Sequence, residues 1–362
     1  MREPAPDPLI ELDHASQVFR VKGRDLPAVS DVSLGVGAGE VLCLVGESGS
    51  GKTTAARLAA GLASPSSGTV RFEGKDLAAM TRADRRRYRR SVQYIHQDPY
   101  ASLNPIRSVH STLSIPLRRH GLAHNPAEVD QRVDELLETV DLTPAESYRG
   151  KFPHQLSGGQ RQRVSVARGL TLSPRLLIAD ESTSMLDVSI RVSLLNMLTR
   201  LRTEDGVGFI YITHDLALAK YFAWEGRTAV MYLGKIVEAG PTPQVINDPQ
   251  HPYTKALLEA VPEPDPEKAR QKKSGAGLLS ADIPSLSDLP SGCTFHPRCP
   301  LAEDRCRERI PVLTPSPQAP AQDVACMVVT DPQPTAAAGA DTGADTGAGG
   351  DAGSGDRGGG RS

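Results

Sequence analysis

The chain has 362 residues, with 41 Lys and Arg against 43 Asp and Glu, a net charge of −2 at pH 7 and 39 % hydrophobic residues. Length alone leads to an expectation of about two domains, and the charge balance gives no electrostatic case for nucleic acid, which shows as a basic excess. No apolar run approaches the roughly 20 residues that span a bilayer, and Met1 to Pro8 holds no apolar signal-peptide core. The protein is therefore expected in the cytosol, with its five cysteines as thiols or metal ligands rather than disulfides.

Leu9 to Phe19 reads as a first strand and Ala28 to Leu34 as a second, joined by the polar stretch Arg20 to Asp25. Glu40-Val41-Leu42-Cys43-Leu44-Val45 is a mostly apolar run of strand length, and Thr54 to Ala60 favours helix. Between them stands Gly46-Glu47-Ser48-Gly49-Ser50-Gly51-Lys52-Thr53. It is a G-x-x-x-x-G-K-[ST] sequence in the strand–loop–helix context of a phosphate-binding P-loop. Its glycines let successive backbone N–H groups turn inward around phosphate oxygens. Lys52 is placed to bridge β- and γ-phosphates, and the Thr53 hydroxyl to ligate Mg²⁺.

Gly68 to Lys75 reads as a strand entering a turn. The basic run Arg82, Arg85, Arg86, Arg87, Arg89 and Arg90 reads as the solvated face of a helix, with a contact to anionic lipid or an acidic partner as the alternative. Ser91 to Gln97 is strand-like and ends at the chain-turning pair Asp98-Pro99. Val129, Val133, Leu136, Leu137 and Val140 recur at helical spacing. Gln155 to Gln160 precedes a helix-favouring stretch to Leu172. Leu176 to Ala179 is a buried-strand run ending in Asp180-Glu181, Val188 to Arg202 is helical, and Phe209 to Thr213 is a strand with His214 at its end. Strands alternating with helices predict an α/β fold with a parallel sheet.

Beyond about Gly240 the character changes. Pro252 to Ala260 predicts one short helix, 261–285 a Pro/Lys/Ser-rich linker, and Pro290 to Cys326 a compact cysteine-bearing segment. From Asp331 onward Ala, Gly, Asp and Thr dominate. That tail has too little apolar area to offset chain entropy and is expected to be disordered.

A P-loop enzyme must hold Mg²⁺, orient a water and neutralise the transferring phosphoryl group. Asp180, at the end of an apolar strand, is placed as the Walker B carboxylate that holds the metal. Glu181 is positioned as general base, with helix capping by this acidic pair as the alternative. Gln97 ends a strand within reach of both Mg²⁺ and water. His214 is a candidate γ-phosphate donor, against a purely structural histidine.

Leu156-Ser157-Gly158-Gly159-Gln160, lying between the P-loop and Asp180-Glu181, resembles the signature of the ATP-binding cassette family. Lys52, Gln97, this signature, Asp180-Glu181, Ser184-Met185-Leu186-Asp187 and His214 follow that family's order. Gln97 to Pro105, His251 to Leu258 and Pro290 to Pro300 are similar to the oligopeptide/dipeptide (and nickel) importer ATPases. The resemblance implies a P-loop NTPase cassette over 9–245, with a RecA-like parallel-sheet core, an antiparallel β part and a helical signature subdomain. A helix and linker over 246–285, a cysteine-bearing extension over 286–330 and a tail over 331–362 follow.

The resemblance further implies ATP and Mg²⁺ bound by residues 46 to 54, with Phe19 stacking on adenine. Thr53, Gln97 and Asp180 would serve the metal, and Glu181, His214 and Gln97 catalysis. Two cassettes would meet head to tail, so that Ser157, Gly158 and Gly159, at a helix N-terminus, face the γ-phosphate held by the partner's Lys52, with Asp187 in the D-loop. The implied partners are a second cassette (a copy or a paralogue), two membrane permeases and an extracytoplasmic binding protein, at the cytoplasmic face of the membrane. The expected function is powering peptide import. A soluble cassette ATPase acting on nucleic acid or ribosomes, or an importer of nickel or another small solute, is the alternative. The chain departs from the family at Ser182, where Pro usually follows the glutamate, and at His96, where Phe usually precedes the glutamine.

Cys43 lies in an apolar strand and reads as a small buried hydrophobe. Cys293, Cys299, Cys306 and Cys326 leave five, six and nineteen residues between neighbours. Four thiolates suit a [4Fe–4S] cluster or Zn²⁺, but the C-x₂₋₄-C spacing of structural zinc is absent. The cluster is the expectation, with zinc and a metal-free docked segment as alternatives.

Overall fold

The computed structural model describes residues 8–21, 23–181, 187–260 and 278–332. The linker over 261–277, the motif residues Ser182 to Leu186 and the tail from 333 lie outside the described residues.

The chain opens with β1 (Ile10–Val21) and β2 (Arg24–Val36), a long antiparallel pair. After β3 (Val41–Val45) and α1 (Lys52–Ala59), β4 (Ser67–Phe72) and β5 (Lys75–Asp76) join that pair in a sheet of order β2-β1-β4-β5. The basic run forms α2 (Arg82–Ser91), which leads into β6 (Val92–Ile95). A helical region follows: α3 (Pro99–Ser102), α4 (Val109–Arg119), α5 (Pro126–Thr139), α6 (Glu146–Arg149) and α7 (Gly158–Leu170). Then come β7 (Leu176–Asp180), α8 (Val188–Thr203), β8 (Gly208–Thr213), α9 (Leu216–Phe222), β9 (Arg227–Tyr232) and β10 (Lys235–Pro241). After α10 (Thr242–Asn247) and α11 (Pro252–Glu259), the extension adds β11 (Thr314–Pro315) and β12 (Asp323–Val324).

The second sheet has the order β11-β12-β10-β9-β3-β8-β7-β6, and its five strands from β9 to β6 are parallel. Buried parallel strands read as continuous apolar runs because both faces are covered; β3, β7 and β8 are buried at every residue. Their side chains alternate between two cores. Val41, Cys43, Val45, Phe209 and Tyr211 face the helices α4, α5 and α7 to α9. Leu42, Leu44, Ile210 and Ile212 face α1 and the small sheet.

α4 was not read from the sequence, because Pro116 interrupts its pattern; Ser108 caps it, accepting from Ser111 N. The extension is built onto the cassette's own sheet. β12 pairs with β10 through Glu238↔Val324 and Ala239↔Asp323. Tyr232, Val237, Tyr253, Phe295 and Cys299 form a third apolar cluster, against which Leu278 packs. The segment is thus docked, which is one way of stapling a piece too poor in apolar residues to hold itself.

Candidate nucleotide site

Open parallel sheets bind ligands at the carboxyl ends of their strands. Here β3 ends in the P-loop, β8 in His214, β7 in Asp180-Glu181 and β6 near Gln97, and these four strands are neighbours in the order β3-β8-β7-β6. Sequence-distant motifs are therefore side by side at one sheet edge.

The P-loop is shaped by close approach. A Cβ on Gly46 would stand 2.2 Å from the Met231 carbonyl oxygen, and one on Gly51, at φ 103°, 2.3 Å from that of Ala28. Only glycine fits this wrap. Ser48 and Gly49 are exposed at its crest, whereas Ser50 and Lys52 are buried. Lys52 Nζ turns back into the loop, donating to Gly46 O at 2.8 Å, Glu47 O at 2.9 Å and Ser50 Oγ at 3.3 Å. Burial lowers its pKa, opposed by the negative charges of Glu181, Asp180 and Glu47.

Thr53, exposed in the first turn of α1, donates Oγ1–H to Asp180 Oδ1 at 3.0 Å. Tyr94 donates to the other oxygen, Oδ2, at 2.6 Å. Burial pushes the Asp180 carboxyl up, while the Tyr94 and Thr53 hydroxyls pull it back. A hydroxyl and a carboxylate converging here are the hard oxygen donors that suit Mg²⁺, so these residues fit the ion that the family implies.

Glu181 sits at φ 41°, a left-handed conformation that costs a non-glycine residue energy, and its N–H donates to Ile212 O at 3.1 Å. Gln97 Nε2 donates to Glu181 Oε2 at 2.8 Å, and His214 Nδ1 lies 3.5 Å from Oε1. Gln97, Glu181 and His214 are thus gathered at one point. His96 packs edge-on to Tyr94 with centroids 4.9 Å apart, and burial lowers its pKa.

Other predicted residues lie apart from this cluster. Phe19 pairs with Leu26 on the β1–β2 hairpin and is 44 % exposed. Leu156 is buried, and Ser157 caps α7 in a box with Gln160: Gln160 N donates to Ser157 Oγ at 3.3 Å and Ser157 N to Gln160 Oε1 at 3.0 Å. Gly158 opens α7, and a Cβ on Gly159 would meet Ile190 Cγ2 at 2.6 Å. Asp187 precedes α8. Thr54 is half-buried on α1.

Three residues near the site were missed: Tyr94, Tyr253 and Arg298. Glu47 N donates to Tyr253 Oη at 2.9 Å, and Arg298 grips the Glu47 carboxylate. Tyr94 lies in no motif, and Tyr253 and Arg298 fall inside the stretches His251 to Leu258 and Pro290 to Pro300, whose likeness to the importers does not say where these side chains reach.

Of the predicted metal ligands, Cys299, Cys306 and Cys326 are buried and Cys293 half-buried. Burial pushes the Cys293 thiol up to about 11 and Cys299 up to about 12, and both feel Cys306 and Cys326 electrostatically. Among the described residues, no group of three or more His, Cys, Asp or Glu is placed to hold a metal ion.

The ABC transporter family profile matches residues 29–184, and the profile of the oligopeptide/dipeptide transporter C-terminal region matches residues 237–306. The chain is 46 % identical over 311 residues to the probable peptide ABC transporter ATP-binding protein y4tS of Sinorhizobium fredii (strain NBRC 101917 / NGR234), spanning 86 % of this chain and 84 % of the relative. It is 40 % identical over 312 residues to the oligopeptide transport ATP-binding protein AppF of Bacillus subtilis (strain 168), spanning 86 % and 92 %. The chain belongs to the ABC transporter ATP-binding proteins of the oligopeptide/dipeptide type. Among solved structures, the ATP-binding cassette MJ0796, a dimer in a post-hydrolysis state bound to ADP and Pi, superposes with TM-score 0.58 at 26 % identity, covering 64 % of this chain and 98 % of that one. This ABC protein is accordingly an ATPase, with the cassette fold that its motifs implied. Among its described residues no helix is long and apolar enough to cross a membrane.

Proposed function

We propose that this ATPase powers peptide import through membrane permeases, working at the cytoplasmic face with a second cassette. The observation that carries the reading is the gathering of Lys52, Thr53, Asp180, Glu181, Gln97 and His214 at one sheet edge, in a chain whose 237–306 region matches the peptide-transporter profile.

The geometry supports a division of roles among these residues. The P-loop N–H groups and Lys52 bind the triphosphate. Thr53 and Asp180 hold Mg²⁺, which when bound neutralises phosphate charge. Glu181 takes the proton of the attacking water, oriented by Gln97, and His214 donates to the γ-phosphate. Phe19, exposed on its hairpin, stacks on adenine. Ser157, Gly158 and Gly159 at the start of α7 complete the site of the partner cassette, and Asp187 belongs to the same interface.

Import of nickel or another small solute shares this machinery, and the peptide reading is favoured by the relatives' names. The alternative of action on nucleic acid lacks a basic excess. The four thiols remain in the proposal as ligands of a [4Fe–4S] cluster, supported by their number and by the electrostatic proximity of Cys293 and Cys299 to Cys306 and Cys326, which would have to draw closer to share one centre; iron and acid-labile sulfide analysis of anaerobically purified protein tests it. For function, cells lacking the gene should lose uptake of a labelled oligopeptide and regain it with the wild-type chain but not with Glu181→Gln. Unimpaired uptake in the deletion strain overturns the reading.

A further inference from the structure

A carboxylate one residue into a phosphate-binding loop is electrostatically misplaced, because it repels the triphosphate that the loop must admit. Glu47 is that carboxylate. It is not left bare: Arg298 Nη1 donates to Oε2 at 2.8 Å and Nη2 to Oε1 at 3.1 Å, a two-pronged match of guanidinium to carboxylate. The Arg298 side chain is 5 % exposed and that of Glu47 25 %, so solvent screens the pair weakly. The guanidinium is held in turn by the rings of Tyr232 and Phe295, 5.7 and 5.8 Å from their centroids. The Glu47 N–H is fixed separately by Tyr253.

Arg298 and Tyr253 both come from beyond the strands that carry the catalytic motifs. Arg298 stands between Cys293 and Cys299, and its N–H donates to Phe295 O at 3.0 Å within the cysteine-bearing turn. The same Phe295 packs on Tyr232 and Tyr253.

We infer that Arg298 is a positioning residue of the nucleotide site, through which the cysteine-bearing extension cancels the Glu47 charge, holds the start of the P-loop and so sets affinity for ATP. This rests on the reading of the P-loop as the ATP site. Coupling of this kind is reciprocal: whatever the extension adds to nucleotide affinity, bound nucleotide adds to the docking of the extension. A change in the cysteine lobe is then felt at the phosphates, and nucleotide is felt at the thiols.

The test is the dissociation constant of the full chain for a non-hydrolysable ATP analogue with Mg²⁺, in four proteins: wild type, Arg298→Met, Glu47→Gln and the double variant. Arg298→Met, which strands the Glu47 charge, should weaken binding at least about fivefold, the lower end of the range for coupled sites. The double variant should recover to within about twofold of wild type, because Glu47→Gln removes the repulsion; a purely structural arginine would not be rescued in this way. Val133→Ala, a destabilising core change on α5 outside the extension, should leave the constant unchanged. Should Arg298→Met fail to fold, Arg298→Lys, which keeps the charge and loses the fork, takes its place with an intermediate loss. As the reciprocal readout, the nucleotide should slow backbone hydrogen exchange over residues 293–299 in wild type and not in Arg298→Met. A folded Arg298→Met of wild-type affinity, or a loss that Glu47→Gln leaves unrescued, overturns the inference while the site stands. A wild-type chain that binds no nucleotide overturns the site itself.

Discussion

The hydroxyl of Tyr94 reaches Asp180 Oδ2 at 2.6 Å, so the carboxylate beneath the P-loop is gripped on both oxygens, by Tyr94 and by Thr53. The two hydroxyls favour the ionised form of an aspartate that is only 3 % exposed. Burial raises its pKa and the two hydroxyls lower it. Tyr94→Phe removes one of them, so the pKa rises further and the ionised form, which in the proposed mechanism would hold Mg²⁺, is lost at a higher pH. The acid limb of the pH profile of ATPase kcat/KM should move towards neutral pH. An acid limb that stays in place would show that Tyr94 is a packing residue only.

Glu181, bonded by Gln97 and 3.5 Å from His214, is the base in the proposed mechanism. Glu181→Gln should bind ATP as before and hydrolyse it at least about 10²-fold more slowly, the lower range for losing a general base. Its complex with ATP should migrate as a dimer in size-exclusion chromatography. Near-normal turnover would remove Glu181 from the mechanism.

Ser157 caps α7 within its own chain, and its hydroxyl bonds only inside that cap among the described residues. Ser157→Arg should therefore leave nucleotide binding in the isolated chain intact while turnover collapses, because the damage falls on the partner's nucleotide. Loss of monomer binding, measured by equilibrium titration, would contradict a shared site.

His251 is 1 % exposed, accepts from Tyr253 N at 3.0 Å, and burial drives its pKa from 6.5 down to about 3. Between those values the unfolded chain binds a proton that the native chain does not, so stability falls as the pH drops through that window. At pH 5 this histidine should cost about 2 kcal/mol relative to neutral pH. Glu238, whose buried carboxyl sits above its usual range, works in the opposite sense. Denaturant unfolding of wild type against His251→Gln at the two pH values isolates the histidine: the variant should lose less on acidification. Equal losses would show that the imidazole is reached by solvent.

Phe295 is 1 % exposed and joins Tyr232 and Tyr253 in the third cluster. Phe295→Ala should cost about 3–5 kcal/mol, as large-to-small changes in cores do, and lower the melting temperature accordingly. A shift within error would mean that the extension is not held by this packing.

The nucleotide motifs were legible because each is local: a loop, a strand end or a helix start carries its own chemistry within a few residues. Lys52, Asp180, Glu181 and His214 could be named before any strand order was known. The sheet then explained why they meet. Tyr94, Tyr253 and Arg298 were not legible, because their partners lie 86, 206 and 251 residues away. An arginine inside a Cys-x₅-Cys stretch looks like an ordinary surface charge until the fold sets it against Glu47. The extension was read as a segment after the cassette; β12 instead completes the cassette's sheet beside β10. Two-residue strands such as Asp323–Val324 leave no periodicity to detect.

The 251 residues that separate Glu47 from Arg298 also fix an order of assembly. A chain leaving the ribosome exposes its P-loop early, and β3 and α1 can form at once. The counter-charge for that loop is among the last structured residues to emerge. A chain that ends before Arg298 thus carries the P-loop and both acidic residues yet holds an unneutralised loop, and by the coupling inferred above it binds ATP more weakly than one that includes the extension.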